Sequence, residues 1–131
     1  MTWEPTPKAR PLYWVTSSKR DLLSMPTPVR RQMGFVLGVA QCGATHGDVK
    51  PWKGEGSGVF EVVRHFDGDT YRSVYTVRFE QAVYVLHCFQ KKSPSGVRTA
   101  KTDVTLVRER LKLARMDYGR RYGKAEDSSN D

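Results

Sequence analysis

The chain has 131 residues, of which 22 are Lys or Arg and 14 are Asp or Glu, so its formal net charge is +8 at pH 7. This length fits one domain. The longest apolar runs, residues 34–40 and 82–89, are far shorter than the roughly 20 residues that a membrane-spanning helix needs, so we expect no membrane span. The charge excess favours a polyanionic partner, such as nucleic acid, an acidic protein or an anionic membrane face.

The lack of an apolar block near the N-terminus and the small number of cysteines both favour a reducing compartment. Residues 1–8 contain no apolar block that could serve as a secretion signal. The two cysteines, Cys42 and Cys88, are too few for a disulfide framework or a thiolate zinc site. We therefore expect two reduced thiols in a cytoplasmic protein.

The first half of the chain predicts a strand followed by two helices. Residues 1–10 combine charges with prolines and predict an extended arm. Residues 11–16 are rich in aromatic and β-branched side chains, which is typical of a short strand. A short helix is expected to begin at Ser17, and Thr27 followed by Pro28 is typical of the start of a second helix. The apolar stripe of that helix consists of Val29, Met33, Val36, Leu37 and Ala40, and Gly43 is its expected stop.

The second half predicts an antiparallel meander and a final helix. Residues 59–66 and 71–79 are β-rich runs joined by an Asp-Gly turn, which is a strong hairpin signal. A tight connection leads to a third run, residues 82–89, and a basic loop follows at residues 90–96. Apolar residues at helical spacing then predict a helix from about residue 99. These apolar residues are Val104, Val107, Leu111 and Ala114.

Together these elements predict an α+β fold with the order β-α-α-β-β-β-α, in which helices pack on one face of a mostly antiparallel sheet. The expected organisation is a flexible N-terminal arm at residues 1–10, a single domain at residues 11–115 and a polar C-terminal tail at residues 116–131.

Four blocks of sequence stand out: residues 50–61 (KPWKGEGSGVFE), 71–75 (YRSVY), 85–92 (VLHCFQKK) and 100–113. In their order and spacing they resemble the phage-derived Gp49-like branch of the RelE/HigB toxin superfamily. The resemblance implies a RelE-like fold and the toxin half of a bacterial type II toxin–antitoxin pair. Such toxins are typically metal-independent mRNA endonucleases, often acting on the translating ribosome. A small antitoxin, often with a helix-turn-helix DNA-binding domain, neutralises them in a hetero-oligomer.

Metal-independent RNA cleavage needs a base for the 2′-hydroxyl proton, a proton donor for the leaving 5′-oxygen and cations for the phosphorane. Arg suits the last role because its planar fork binds phosphate oxygens in bidentate fashion and keeps its charge. The meander is expected to bring Arg64 and Arg72 close, because they lie about equally far from the same turn. The strand-rich half supplies cations at Lys50, Lys53, Arg64, Arg72, Arg78, Lys91 and Lys92.

Arg72 is the first catalytic candidate. The resemblance implies a phosphate-stabilising arginine at this place in the Tyr-Arg-x-x-Tyr block, and the alternative is a solvated strand residue. Lys91 and Lys92 occupy the basic position after the last strand, which the resemblance implies to be a phosphate contact or proton donor; the alternative is a solubilising loop charge. Three further cations are expected to hold the RNA backbone, with plain surface charge as the alternative: Lys50, Lys53 and Arg64.

The sequence leaves the general base open, with three histidines available (His46, His65 and His87) and Glu61 as a further candidate. His87 lies at the end of the third meander strand, beside the basic loop, and His is the ordinary base near neutral pH. The alternative is a packed or surface histidine. Glu61 is expected to pair with a cation, to act as the base or simply to face water.

Aromatic rings near these cations are candidates for stacking on RNA bases. Trp52 and Phe89 occupy such positions, and core packing is the alternative interpretation for each. His, Asp and Glu show no metal-ligand spacing, so we predict no metal and no cofactor.

Three functions follow from these observations as alternatives. The first is an endoribonuclease toxin, the second is a non-enzymatic toxin that inhibits a protein target such as gyrase, and the third is an RNA-binding module that does not cleave. The nuclease interpretation requires Arg72 to lie beside Lys91 and Lys92 on one face. An Arg72 far from that position, or buried in a structural ion pair, counts against it.

Overall fold

The computed structural model describes residues 9–91 and 100–123. Most of the expected N-terminal arm, Lys92 with most of the basic loop, and the end of the expected tail lie outside these ranges. None of the described helices is both long and apolar enough to cross a membrane. The elements are, in chain order, β1 (Leu12–Trp14), α1 (Ser18–Leu23), α2 (Thr27–Gln41), β2 (Val49–Pro51), β3 (Val59–Phe66), β4 (Asp69–Thr76), β5 (Val83–Lys91) and α3 (Lys101–Tyr122).

The strands form a five-stranded sheet in the order β1-β5-β4-β3-β2. β1 pairs with β5 in parallel, and the other neighbours are antiparallel. This confirms the predicted α+β class with a mostly antiparallel sheet. Asp67 and Gly68 connect β3 to β4, and both have positive φ angles, 50° and 83°, as a type I′ turn requires.

β2 is an element that the sequence did not predict. It spans three residues and ends in Pro51, so it is too short for a strand pattern to be recognised in the sequence. It exists because its backbone pairs with β3, and proline is tolerated there because β2 is an edge strand. The pairing places Lys50 directly opposite Glu61.

The expected placement of all helices on one face of the sheet is wrong. α1 and α2 cover one face and α3 covers the other, with a separate hydrophobic cluster under each. The sequence of β5 explains this arrangement. A strand covered on both faces carries a nearly continuous apolar run, and β5 is buried from Val83 to Phe89. The α3-side cluster includes Val59, Val74, Tyr84, Leu86, Val107 and Leu111. The other cluster includes Val29, Met33, Leu37, Val62, Tyr75 and Val85.

α3 continues to Tyr122, past Arg115, where the sequence interpretation placed the end of the domain. Tyr118 is 2% exposed and stacks on Phe79 with a centroid distance of 5.0 Å. The hydroxyl groups of Tyr122 and Tyr13 are 2.9 Å apart, which ties the last turn of α3 to β1. The segment expected to be a polar tail from residue 116 is therefore helical and packed through Tyr122.

Arg78 supports a loop instead of presenting a surface cation. It is 4% exposed, its Nε donates to the Ser57 carbonyl at 3.1 Å, and its Nη2 donates to the carbonyls of Ser57 and Glu55. Gly58 has a φ of 83°, and a Cβ there would lie 3.3 Å from the Arg78 Cα. The glycine-rich segment before β3 is thus shaped to wrap around a buried guanidinium.

Candidate active site

Four charged residues share the α3-facing side of the sheet. Val74 packs in the α3-side cluster, and Arg72 lies two residues away in the same strand, so both side chains point to that face. Cross-strand partners also share a face. Glu61 lies opposite Val74, and Lys50 lies opposite Glu61. Phe89 is the β5 partner of Arg72, and Lys91 lies two residues after Phe89. We call Lys50, Glu61, Arg72 and Lys91 the Arg72 cluster.

An ion pair stands at the centre of the Arg72 cluster. Arg72 Nη1 donates to Glu61 Oε1, and each side chain is 12% exposed. Arg72 Nε is buried without a hydrogen-bond partner among the described residues. One edge of the guanidinium is therefore occupied by a carboxylate, which is the condition that counts against a freely available phosphate-binding arginine.

Lys91 lies within electrostatic reach of the pair. It is 9% exposed. Burial lowers the pKa of Lys91 below its ordinary value of 10.5, and the charges of Arg72 and Lys50 add to this, while Glu61 opposes it. The structure thus brings Arg72 and Lys91 to one face, as the nuclease interpretation requires, and adds Lys50 through β2. Lys92 lies outside the described residues.

His87 is held by α3. Arg110 Nη1 lies 3.1 Å from His87 Nδ1, and because a guanidinium only donates, Nδ1 accepts. Nε2 then carries the hydrogen and donates to Asp103 Oδ1 at 2.7 Å. Phe89 stacks on the imidazole with a centroid distance of 4.6 Å. Both ring nitrogens are engaged, so this geometry favours a role in fixing α3 to β5 and argues against His87 as a general base.

Arg64 and Arg72 are not brought together. The two-residue turn pairs Arg64 with Tyr71, whereas Arg72 pairs with Val63. A difference of one residue in register places a side chain on the opposite face. Arg64 therefore points toward α2, where its Nη1 donates to Gln32 Oε1.

The predicted aromatic platforms are part of the core. Trp52 is 4% exposed and Phe89 is 9% exposed, and both belong to the α3-side cluster. Neither ring presents an open face to a nucleobase, so core packing accounts for both. Lys53 is exposed in the turn after β2.

Two residues that hold His87 were missed by the sequence interpretation. Asp103 and Arg110 are seven residues apart, which is about two turns of helix and places them on the same side of α3. That spacing was the available signal, but it carries meaning only once β5 is known to lie beside α3. Among the described residues, no group of three or more His, Cys, Asp or Glu side chains could hold a metal ion.

Comparison with solved structures gives the fold. The chain matches a mutant of the E. coli toxin RelE in the free state, with a TM-score of 0.52 and 16% sequence identity, over 81% of this chain and 98% of that chain. At this identity the match describes the architecture, which is the RelE fold.

The sequence family is also established. The family model for the phage-derived Gp49-like proteins matches residues 20–112, which is more than half of the chain. The protein therefore belongs to the Gp49-like family, and this confirms the resemblance to the Gp49-like branch of the RelE/HigB superfamily. No curated protein matches the chain significantly.

Proposed function

We propose that the protein is the toxin of a type II toxin–antitoxin pair and that it cleaves mRNA without a metal ion. The observation that carries this proposal is the Arg72 cluster, in which three cations and one carboxylate gather on one face of the sheet. This combination offers a proton acceptor, a proton donor and charge for a pentavalent phosphorane in one place.

In the proposed reaction the 2′-oxygen attacks the adjacent phosphorus. Glu61 takes the 2′-hydroxyl proton as the 2′-oxygen–phosphorus bond forms. Lys91 gives a proton to the 5′-oxygen as the phosphorus–5′-oxygen bond breaks, and its lowered pKa suits a proton donor that works near neutral pH. The products are a 2′,3′-cyclic phosphate and a 5′-hydroxyl group. Arg72 and Lys50 stabilise the negative charge on the phosphorane.

The ion pair has a defined place in this proposal. Glu61 occupies Arg72 Nη1, so the scissile phosphate uses the remaining edge of the guanidinium together with Lys50 and Lys91. Pairing holds the Glu61 carboxylate in a fixed orientation, as a base requires. Arg72 thereby acts both on the phosphate and on the orientation of Glu61.

The second candidate is a toxin or binding module that does not cleave RNA. The burial of the Glu61–Arg72 pair favours it, because side chains that are 12% exposed offer little surface to a substrate. In that case the pair stabilises the sheet, and the protein acts on a protein target such as gyrase or binds RNA without cutting it.

RNA cleavage assays separate these candidates. Purified protein is incubated with mRNA, with and without translating ribosomes, in the presence and absence of a chelator. We expect chelator-resistant cuts with 5′-hydroxyl ends, which Arg72→Ala and Glu61→Gln reduce by about 100-fold. The control Arg20→Ala removes an exposed cation on α1 and is expected to cut normally. Intact RNA under every condition would instead support the second candidate.

The proposal also implies an antitoxin partner. We expect a neighbouring reading frame to encode a small protein with a helix-turn-helix domain, and the two proteins to purify as one hetero-oligomer after coexpression. Coexpression is expected to restore growth that the toxin alone arrests. A growth arrest that no neighbouring product relieves would argue against a toxin–antitoxin pair.

A further inference from the structure

One side of α3 carries basic residues and no acid. Positions 101, 105, 108, 112, 115 and 119 fall within roughly 80° of the helix circumference, because each residue advances by about 100°. All six are exposed. Four of the six are basic, and we call them the α3 stripe: Lys101, Arg108, Lys112 and Arg115.

The acids of α3 lie on other sides of the helix. Asp103 is bonded to His87, and Asp117 accepts from Tyr84 at 2.6 Å. Glu109 is exposed and lies about 40° beyond the edge of the stripe, three residues from Lys112. One carboxylate against four cations leaves the α3 stripe with a net positive charge.

A cleft of about 390 Å³ runs beside the α3 stripe. Its basic lining residues are Arg108, Lys112, Arg115 and the buried Arg78, its apolar ones are Leu111 and Met116, and Glu55 is its one acidic lining residue among those described. Glu55 pairs with Arg108 at 3.1 Å, yet the Arg108 side chain remains 55% exposed. The cleft is a concave surface whose net charge is positive.

The α3 stripe begins near the Arg72 cluster. Asp103, in the first turn of α3, is hydrogen-bonded to His87 of β5. Phe89, two residues after His87 in the same strand, lies opposite Arg72. From Lys101 to Arg115 the helix extends by about 21 Å. The cations thus form a track that leads away from the proposed catalytic face.

We propose that the α3 stripe binds the sugar–phosphate backbone of RNA outside the nucleotides that are cut. The proposal rests on the proposed function for its ligand class. Ammonium and guanidinium groups neutralise phosphates without reading bases, so this binding is independent of sequence and dependent on salt. An acidic protein is the alternative ligand, because Leu111 and the exposed Met116 also line the cleft and protein interfaces usually have an apolar centre. The four cations of the stripe, spaced along about 21 Å of helix, favour an extended phosphate backbone.

The test is RNA binding by a triple variant, Arg108→Ala with Lys112→Ala and Arg115→Ala. The probe is a 2′-O-methylated single-stranded RNA, which cannot be cut, titrated at several salt concentrations. We expect the slope of log K against log salt to become shallower by about 2, since each lost phosphate contact on a single strand removes about 0.7. The matched control is Lys19→Ala with Arg20→Ala and Arg31→Ala, which removes the same charge from exposed positions on α1 and α2, and we expect it to keep the wild-type slope.

Three outcomes overturn this inference. Equal slopes for the stripe variant and the wild type would show that the α3 stripe does not contact RNA. An equal decrease of the slope in both triple variants would show that only the overall charge of the protein matters. Loss of polyglutamate binding with unchanged RNA binding would assign the surface to an acidic protein. Circular dichroism checks folding, and the single variant Lys112→Glu gives a second measurement. If the wild type fails to cut RNA while the slope difference persists, the proposed function fails and the α3 stripe stands.

Discussion

Glu61 and Arg72 form an ion pair across β3 and β4, and each side chain is 12% exposed. The pair is diagonal, since Glu61 lies opposite Val74 and Arg72 lies opposite Val63. Glu61 is also the one carboxylate in a cluster that contains Lys50 and Lys91. The two partners are therefore not equivalent, because removing Glu61 leaves three cations together, whereas removing Arg72 leaves a carboxylate with two cations nearby.

This asymmetry predicts unequal stability effects. We expect Glu61→Gln to lower the free energy of unfolding by about 3 kcal/mol, as does the loss of one partner of a buried pair. Arg72→Gln is expected to cost about 1 kcal/mol, because other cations remain near Glu61. Urea unfolding of both single variants and the double variant gives the coupling energy, which should be about 1–3 kcal/mol. Additive effects would show that the pair is not coupled.

The lowered pKa of Lys91 predicts that the stability of the fold depends on pH in the alkaline range. Burial, Arg72 and Lys50 lower the pKa of Lys91 below 10.5. The folded protein then releases this proton before the unfolded chain does, so stability rises with pH between the folded pKa and 10.5. We expect Lys91→Met to be more stable than the wild type at pH 7, with a difference that shrinks toward about pH 10. Urea midpoints at both pH values test this. A constant difference would contradict it.

Local signals in the sequence determined much of this fold. The α2 stripe of Val29, Met33 and Val36 is buried as predicted, and the Asp67–Gly68 turn sets the β3–β4 register. These features depend on neighbours along the chain. β2 depends on pairing with β3, and its three residues are too few for a periodic pattern from which it could be predicted.

The site was predicted less completely than the fold. The nuclease interpretation required Arg72 and Lys91 to share a face, and the β4–β5 pairing meets this requirement, because cross-strand neighbours lie on one face. The sequence interpretation placed Arg64 beside Arg72 because the distance from the turn was counted without the exact register, and one residue of register decides the face. The role of His87 depends on Asp103 and Arg110 of α3, whose packing is a tertiary contact without a local signal.

Asp117 predicts an acid-sensitive contribution to stability. Burial alone would raise its pKa, but hydrogen bonds from Tyr84 and Arg121 and the charges of Arg121 and Arg120 outweigh burial, so the pKa lies below 3.8. A lowered carboxyl pKa stabilises the fold above the unfolded value and loses that effect as pH falls through the folded value. We expect Asp117→Asn to cost about 1 kcal/mol at pH 7 and little at pH 2. Thermal unfolding at both pH values measures the difference, and an equal cost at both would count against this account.

Substitutions in the last turns of α3 test where the domain ends. Tyr118 is 2% exposed and stacks on Phe79, whereas Met116, two residues earlier, is 58% exposed. We expect Tyr118→Ala to lower the free energy of unfolding by about 3 kcal/mol, and Met116→Ala to change it by less than about 0.5 kcal/mol. Similar small effects for both variants in urea unfolding would mean that residues after Arg115 contribute little to the fold.

The two cysteines are expected to react very differently. Cys42 is exposed, while Cys88 is buried beneath α1 and α2. Burial raises the pKa of Cys88 to about 12, although a hydrogen bond from Ser73 partly opposes this. Only about one thiol in 10⁵ would then be ionised at pH 7, and the thiolate is the reactive form. Iodoacetamide treatment of the native protein should therefore label Cys42, as mass spectrometry would detect. The Cys42→Ser variant should stay unlabelled until it is denatured. Labelling of native Cys42→Ser at the rate of an exposed thiol would mean that the face of the sheet under α1 and α2 opens readily in solution.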